Sequence, residues 1–191
     1  MRKLKLQMQM SVDGFVAGPE GQLDWMTRNL DEKLLQHVNA LTDSSDTILL
    51  GRKMTDGFVN YWTSVLKTPE SPEYSFAKKM VDTPKVVFSK TLDKSTWHNT
   101  TVAKGNLADE VLKLKKQSQS LSGGKDIIVY GGAEFVSNLI KENLIDELNL
   151  FINPTAIGNG LKVFLNRTNL RFQKSQSYEC GVVVNTYALK K

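Results

Sequence analysis

The sequence predicts an α/β protein built as one domain on a mixed sheet, and three observations predict it. Short apolar strands alternate with helix-period segments through most of the chain. Two of the strands run into glycine and then straight into a helical pattern, at Leu50-Gly51 and at Tyr130-Gly131-Gly132. At the C-terminal end, Leu170 to Tyr178 and Val182 to Leu189 are joined by Glu179-Cys180-Gly181, a spacing that suits an antiparallel hairpin. A chain of 191 residues, 40% hydrophobic and 24% charged, is long enough to bury a full sheet with helices against it.

The elements follow in order. Leu4, Leu6, Met8 and Met10 alternate with polar side chains, which makes residues 4–10 a strand and not a signal peptide. Leu34, Leu35, Val38 and Leu41 sit at helical spacing between Asp31 and Asp43, and a strand at 46–50 leads through Gly51 into a helix from Lys53 to Tyr61. Tyr74, Ala77 and Met80 mark the next helix, ahead of strands at 84–88 and 97–102. Leu107, Val111 and Leu114 share one helical face; a buried strand at 126–130 precedes another helix carrying Phe135, Val136, Leu139 and Ile140. Strands at 145–153, 170–178 and 182–189 complete the sheet. Pro69 to Pro72 and Asn153 to Asn169, rich in Pro, Gly, Asn and Thr, are surface loops.

Composition excludes several function classes. The net charge of +5 is spread along the chain, and its dense points, Lys113, Lys115, Lys116 and Lys190, Lys191, read as solvated faces. Without a basic stripe interleaved with aromatics, nucleic acid is not an expected partner, although a mild positive field suits a phosphorylated ligand. Charge or glycine interrupts every apolar run well short of the roughly 18 to 20 residues that cross a bilayer, so no membrane segment is expected. Cys180 is the single cysteine, which rules out an intrachain disulfide and favours the cytoplasm. His37 and His98 have no companions at metal-ligand spacing, so no metal is expected, and no G-x-S-x-G elbow supports a hydrolase.

Chemistry concentrates after the strands. Gly131 and Gly132 let backbone approach a ligand, and the helix that follows offers free amides and a positive dipole end to a diphosphate. Taken singly, such a turn reads as tight strand-to-helix packing. The arrangement recurs at Gly51, with Arg52 and Lys53 at a helix start where cations oppose the dipole unless an anion sits there. A third strand ends in Ser89-Lys90-Thr91, two hydroxyls and an ammonium able to grip a further phosphate. Three phosphate-suited loops after three strands support one dinucleotide better than three coincidences. Neither G-x-G-x-x-G after the first strand nor a P-loop is present.

Ser11-Val12-Asp13-Gly14-Phe15-Val16-Ala17, Trp25, Leu50-Gly51-Arg52-Lys53 and Val129-Tyr130-Gly131-Gly132-Ala133-Glu134 resemble the dihydrofolate reductase superfamily, nearly end to end. Within it the chain is most similar to the C-terminal reductase domain of the bifunctional riboflavin-biosynthesis deaminase/reductase. The resemblance implies a three-layer α/β/α fold with a mostly parallel sheet, a homodimer, and hydride transfer from NADPH to a small heterocyclic or sugar-linked substrate, as in 5-amino-6-(5-phosphoribosylamino)uracil reductase. It also implies cofactor contacts at Gly51, Arg52, Lys53, Met54 and Thr55; at Ser89, Lys90 and Thr91; and at Tyr130, Gly131, Gly132, Ala133, Glu134 and Val136. Val16 and Ala17 should flank the nicotinamide, while Gln7, Trp25 and Phe58 should face substrate.

Departures fall at substrate positions. Gln7 and Phe15 stand where the riboflavin reductase has lysines, and no D-N-P-x-L-T-x-R segment occurs. Asp13 and Asp31 are the candidate catalytic acids, each with a structural reading beside it: Asp13 as the cap of an Asp-Gly turn, Asp31 (with Glu32) as dipole complementation at a helix start. Two other functions stay open. One is a pterin reductase with an acid from the Asp31 helix; the other is a protein that kept the dinucleotide cradle and lost catalysis. Val182, Val183 and Val184 offer a dimer seam or, more simply, a buried strand.

Overall fold

The computed structural model describes residues 1–117 and 124–190. Its elements run β1 (Leu4–Ser11), α1 (Glu32–Asp43), β2 (Ser45–Gly51), α2 (Arg52–Val65), α3 (Tyr74–Asp82), β3 (Lys85–Phe88), β4 (Thr100–Ala103), α4 (Leu107–Lys116), β5 (Asp126–Val129), α5 (Ala133–Lys141), β6 (Glu147–Asn153), β7 (Leu170–Ser177) and β8 (Val183–Leu189). The strands form one sheet in the order β4-β3-β2-β5-β1-β6-β8-β7. Strands β1 to β6 pair in parallel. β8 runs against both neighbours, so the C-terminal hairpin closes the sheet as an antiparallel edge.

Alternation along the strands divides the core into two layers. Leu4, Leu6, Met8 and Met10 of β1 join Ile127, Val129 and Leu148 on the face covered by α4 and α5, through Val111, Val136 and Leu139. Ile48, Leu50, Val87, Ile128 and Phe151 point to the other face, where Leu34, Val38 and Leu41 of α1 and Met80 of α3 cover them and Met54, Phe58 and Trp62 of α2 pack alongside. The result is helix on sheet on helix. No described helix is long and apolar enough to cross a membrane.

Two sequence expectations shift. The fourth strand begins at Thr100 and not at 97, because Asn99 adopts a left-handed turn (φ 50°) that aims the chain into β4 only afterwards, leaving His98 in a loop. Val182 and Val184 are 1% exposed and belong to the α1-side core, so the valine run is interior and not a dimer seam.

The two ends of the parallel strands differ. At their N-terminal ends buried cations clamp the sheet: Arg2 pairs with Asp46 and donates to the Lys125 carbonyl (2.7 Å), and Lys115 donates to the Leu144 carbonyl (2.6 Å) beside Asp146 (2.5 Å). At their C-terminal ends lie the glycine turns.

Candidate active site

β2 and β5 are neighbours, so the turns at Gly51 and at Gly131-Gly132 lie side by side. From β2 the chain leaves through α2 onto one face; from β5 it leaves through α5 onto the other. Adjacent parallel strands whose connections diverge open a crevice outside their carboxyl ends, the general ligand position in such sheets. Gly131 (φ 152°) and Gly132 (φ 80°) hold backbone angles that side-chain-bearing residues rarely adopt. Gly51 is required for a different reason: a Cβ there would lie 2.7 Å from Cβ of Phe135, so the close approach of α5 to β2 depends on its absence.

Helix capping separates these two helices from α1 and α4, while α3 shares the lack of a side-chain cap but starts at Glu73 and not at a glycine. Asp31 caps α1 and Asn106 caps α4, each accepting from backbone amides, whereas α2 and α5 start at Gly51 and Gly132 with no side-chain cap. Their first amides are therefore offered to the crevice. Arg52 donates to Asp56 (2.8 Å) and lies over the Trp97 ring at 5.1 Å; Lys53 bridges to Glu134 of α5 (2.7 Å). The Lys53–Glu134 hydrogen bond raises the lysine's pKa and lowers the glutamate's. On the next strand, Ser89 Oγ accepts from the amides of Thr91 (3.3 Å) and Leu92 (3.0 Å), a compact turn that leaves Lys90 and Thr91 exposed.

On the other side of β5, the loops after β1 and β6 are stitched together. Asp13 accepts from the amides of Ile157 (3.1 Å) and Gly158 (2.7 Å), and the Ser11 hydroxyl followed by these amides holds its carboxyl below the usual range. Val16 and Ala17, both buried, pair with Leu161 (2.8 and 2.9 Å). Asn153 Oδ1 takes the Thr27 amide (2.9 Å), and half-buried Trp25 donates its indole N–H to the Gln22 carbonyl (3.1 Å). These bonds set one wall of the crevice.

The α1–α2 face supplies a second region. Tyr130 stacks on Phe58 of α2 (5.9 Å between centroids, 30° between planes), and its hydroxyl meets Thr42 Oγ1 of α1 at 3.0 Å. Burial pushes the Tyr130 phenol well up. Gln7 of β1 follows the last β1–β5 pair, Leu6 with Val129, and lies beside Asn149 of β6.

Several expected site residues turn out to serve the scaffold. Thr55 is fully buried and donates to the Gly51 carbonyl (3.0 Å), and Val136 is fully buried in the core, so neither side chain has surface for a ligand. Asp31 Oδ1 accepts the Leu34 amide (3.0 Å) and Oδ2 the Cys180 amide (3.1 Å), and these bonds, Leu34 first, hold its carboxyl below the usual range. These bonds engage Asp31 as the cap of α1, and Asp13 is engaged in the same way as a latch between loops. Sequence reasoning missed Trp97, Asn149 and Asn153. Asn149 and Asn153 were visible as polar residues inside an apolar strand; Trp97 carried no periodic signal.

A protein-family model for the RibD C-terminal domain matches residues 2–184. YyaP of Bacillus subtilis (strain 168), itself uncharacterised, is 32% identical over 97% of this chain and 94% of its own. Among solved structures, a Shewanella sp. PV-4 protein assigned provisionally to riboflavin biosynthesis superposes over the full length of both chains with a TM-score of 0.70 at 22% identity. A diaminohydroxyphosphoribosylaminopyrimidine deaminase/5-amino-6-(5-phosphoribosylamino)uracil reductase of Thermotoga maritima matches with a TM-score of 0.65 at 15% identity, over 99% of this chain and 57% of that one. At such identities the solved structures share the fold. Because the family model and YyaP span nearly the whole sequence, the chain belongs to the RibD C-terminal domain family.

Proposed function

We propose that this protein is a reductase of the riboflavin-biosynthesis type that binds NADPH across the carboxyl ends of β3, β2 and β5. The observation that carries the reading is the pair of uncapped, glycine-led helix starts at Gly51 and Gly132, side by side on neighbouring strands. The cradle fits a diphosphate: backbone amides of α2 and α5 stand free, and no Cβ projects from Gly51, Gly131 or Gly132. Arg52 and Lys90, with the Ser89-Thr91 turn, put positive charge and hydroxyls beside it, which favours the cofactor with the additional phosphate.

When bound, the cofactor supplies a hydride to an electrophilic C=N or C=O carbon. The chain's own contribution is positional. The latched wall of Asp13, Val16 and Ala17 gives the reacting ring a rigid surface, and the Tyr130–Phe58 stack bounds the substrate side. The substrate on this reading is a small heterocyclic or sugar-linked molecule. With Asp31 engaged as the cap of α1, a pterin reductase mechanism would have to draw on Glu32, exposed in the first turn of that helix.

Calorimetric titration with NADPH and NADH tests the reading. Tight NADPH binding is expected, with loss of at least tenfold on Gly132→Val, because a β-branched residue resists φ near 80° and intrudes on the phosphate position. Binding of neither nucleotide overturns the reading. The proposal extends to a cytoplasmic homodimer, for which exposed Leu165 (67%) and Phe172 (60%) offer apolar surface. Sedimentation as a dimer that Phe172→Glu dissociates is the expected outcome.

A further inference from the structure

Residues 19–30, the segment that joins the first loop to α1, are tied to the sheet by one hydrogen bond among the described residues. Their other bonds are local. The Gln22 carbonyl accepts the Gly18 amide (2.9 Å) and the Trp25 indole N–H (3.1 Å), while the Leu23 carbonyl accepts the Met26 amide (3.3 Å) and the Arg28 guanidinium (3.3 Å). Trp25 and Met26 are half-buried, yet of this segment only Leu30, at the entry to α1, packs against a core layer. Backbone with so few outside contacts opens at low cost unless a specific tether holds it.

Asn153 is that tether. It is the last residue of β6 and is 1% exposed. Its Oδ1 accepts the Thr27 amide (2.9 Å), and its Nδ2 donates to Gln9 Oε1 (2.8 Å) and to the carbonyls of Phe151 (3.1 Å) and Met10 (3.4 Å). The two halves of the carboxamide thus have separate tasks: the donor half closes the ends of β1 and β6, and the acceptor half holds the segment. These partners fix its orientation, since a flipped amide would set NH2 against the Thr27 N–H and oxygen against two carbonyls. At its root the segment springs from Gly18, directly after Ala17, whose carbonyl accepts the Leu161 amide (2.9 Å). It therefore leaves from one point of the crevice wall and is pinned at another.

We infer that Asn153 is a positioning residue of the reductase site: through the Thr27 amide it pins residues 19–30, and with them Trp25, against the nicotinamide end of the crevice. The inference rests on the reductase reading above. Asn153 touches neither cofactor nor substrate; it acts through the segment it holds. Its influence is confined to one end of the cofactor, because the Ser89–Thr91 turn follows β3 and Asn153 ends β6, with β2, β5 and β1 between them. At ordinary strand spacing that separation is about 19 Å. The nicotinamide half of NADPH depends on the pin, and the adenosine half does not.

The test combines trypsin cleavage after Arg28, exposed within the segment, with calorimetric titration of NADPH and of 2′,5′-ADP, which carries the adenosine half alone. Asn153→Leu removes both halves of the tether. It is expected to speed cleavage after Arg28 and to weaken NADPH roughly fivefold each, the size of one lost hydrogen bond, with 2′,5′-ADP affinity held. Asn153→Asp keeps the acceptor for Thr27 and loses the donor to the strands, so its melting temperature falls while cleavage after Arg28 stays at the wild-type rate. Thr27→Pro withdraws only the donating amide, leaves the sheet untouched, and is expected to repeat the cleavage and binding changes of Asn153→Leu. An asparagine that merely plugs the strand ends predicts cleavage rates that follow melting temperature in both Asn153 variants and a silent Thr27→Pro; that result overturns the inference. NADPH and 2′,5′-ADP weakened alike, or neither weakened, overturns it too and leaves the reductase reading in place. Failure of wild-type protein to bind NADPH overturns both.

Discussion

Lys53 and Glu134 show how single residues tune the crevice. Each sits in the first turn of its helix, and their ion pair spans the gap between the two uncapped starts. A glutamate at α5 complements the helix dipole in the free protein but stands where a diphosphate would bring like charge. Lys53 offsets that repulsion only while it is paired to Glu134, so it is not free for a phosphate. Glu134→Gln removes the anion and releases the lysine. NADPH affinity is expected to rise roughly two- to fivefold at low ionic strength, and the gain to fade as salt screens these exposed groups. Titrations at two salt concentrations check this; weaker binding would mean that the pair itself forms part of the cradle.

At the scale of elements, the junction of β2 with α5 is the tightest constraint near the site. Gly51→Ala would put a Cβ 2.7 Å from Cβ of Phe135, and α5 would have to move away from the sheet. Overpacking of this kind costs about 1–3 kcal/mol, roughly 2–4 °C of melting temperature per kcal/mol in a chain of this size. NADPH binding is expected to fall as well, because the two helix starts separate. Adding Phe135→Ala removes the clash but leaves a void, so binding should recover further than the melting temperature does. The glycines themselves were legible in the sequence, since strand, glycine and helix follow one another locally. That Gly51 meets Phe135 was not, because β5 enters the sheet between β2 and β1 only after two further strands have formed. Local pattern likewise found the helices and all the strands, missing the start of β4 where the Asn99 turn outweighs the apolar period. Thr55 and Val136 entered the candidate site by adjacency to motif residues, although helical spacing turns both side chains inward. The Gln7 position was marked by its departure from a family pattern; that its Oε1 is buried without a partner among the described residues was not legible locally.

At the scale of the whole molecule, burial favours the uncharged forms of two basic groups, His37 and Lys85. His37, half-buried on α1 with Nδ1 against the Tyr178 hydroxyl, has its pKa lowered from 6.5 by burial first and the Lys174 ammonium second, with Glu147 acting the other way. Lys85 is 3% exposed at the start of β3; it donates to the carbonyls of Met80, Val81 and Thr83 (3.1, 2.7 and 2.8 Å), yet burial lowers its pKa from 10.5 to about 8. For both groups the unfolded chain binds protons more readily than the folded one. Stability therefore rises with pH across each window, from the folded pKa of His37 up to 6.5 and from about 8 to 10.5 for Lys85. A chain carrying +5 at neutral pH adds to this trend, since acid increases its self-repulsion. Melting temperature is thus expected to climb from mildly acid to mildly alkaline pH instead of peaking near neutrality. His37→Gln should flatten the part of the curve below pH 6.5. Lys85→Met should lower the whole curve by stranding three carbonyls, and should also remove the rise, on the order of 5 °C between pH 8 and 10, that is expected of the wild type. If the wild-type and Lys85→Met curves run parallel above pH 8, the ammonium stays charged to the ordinary lysine range, and its three carbonyls outweigh its burial.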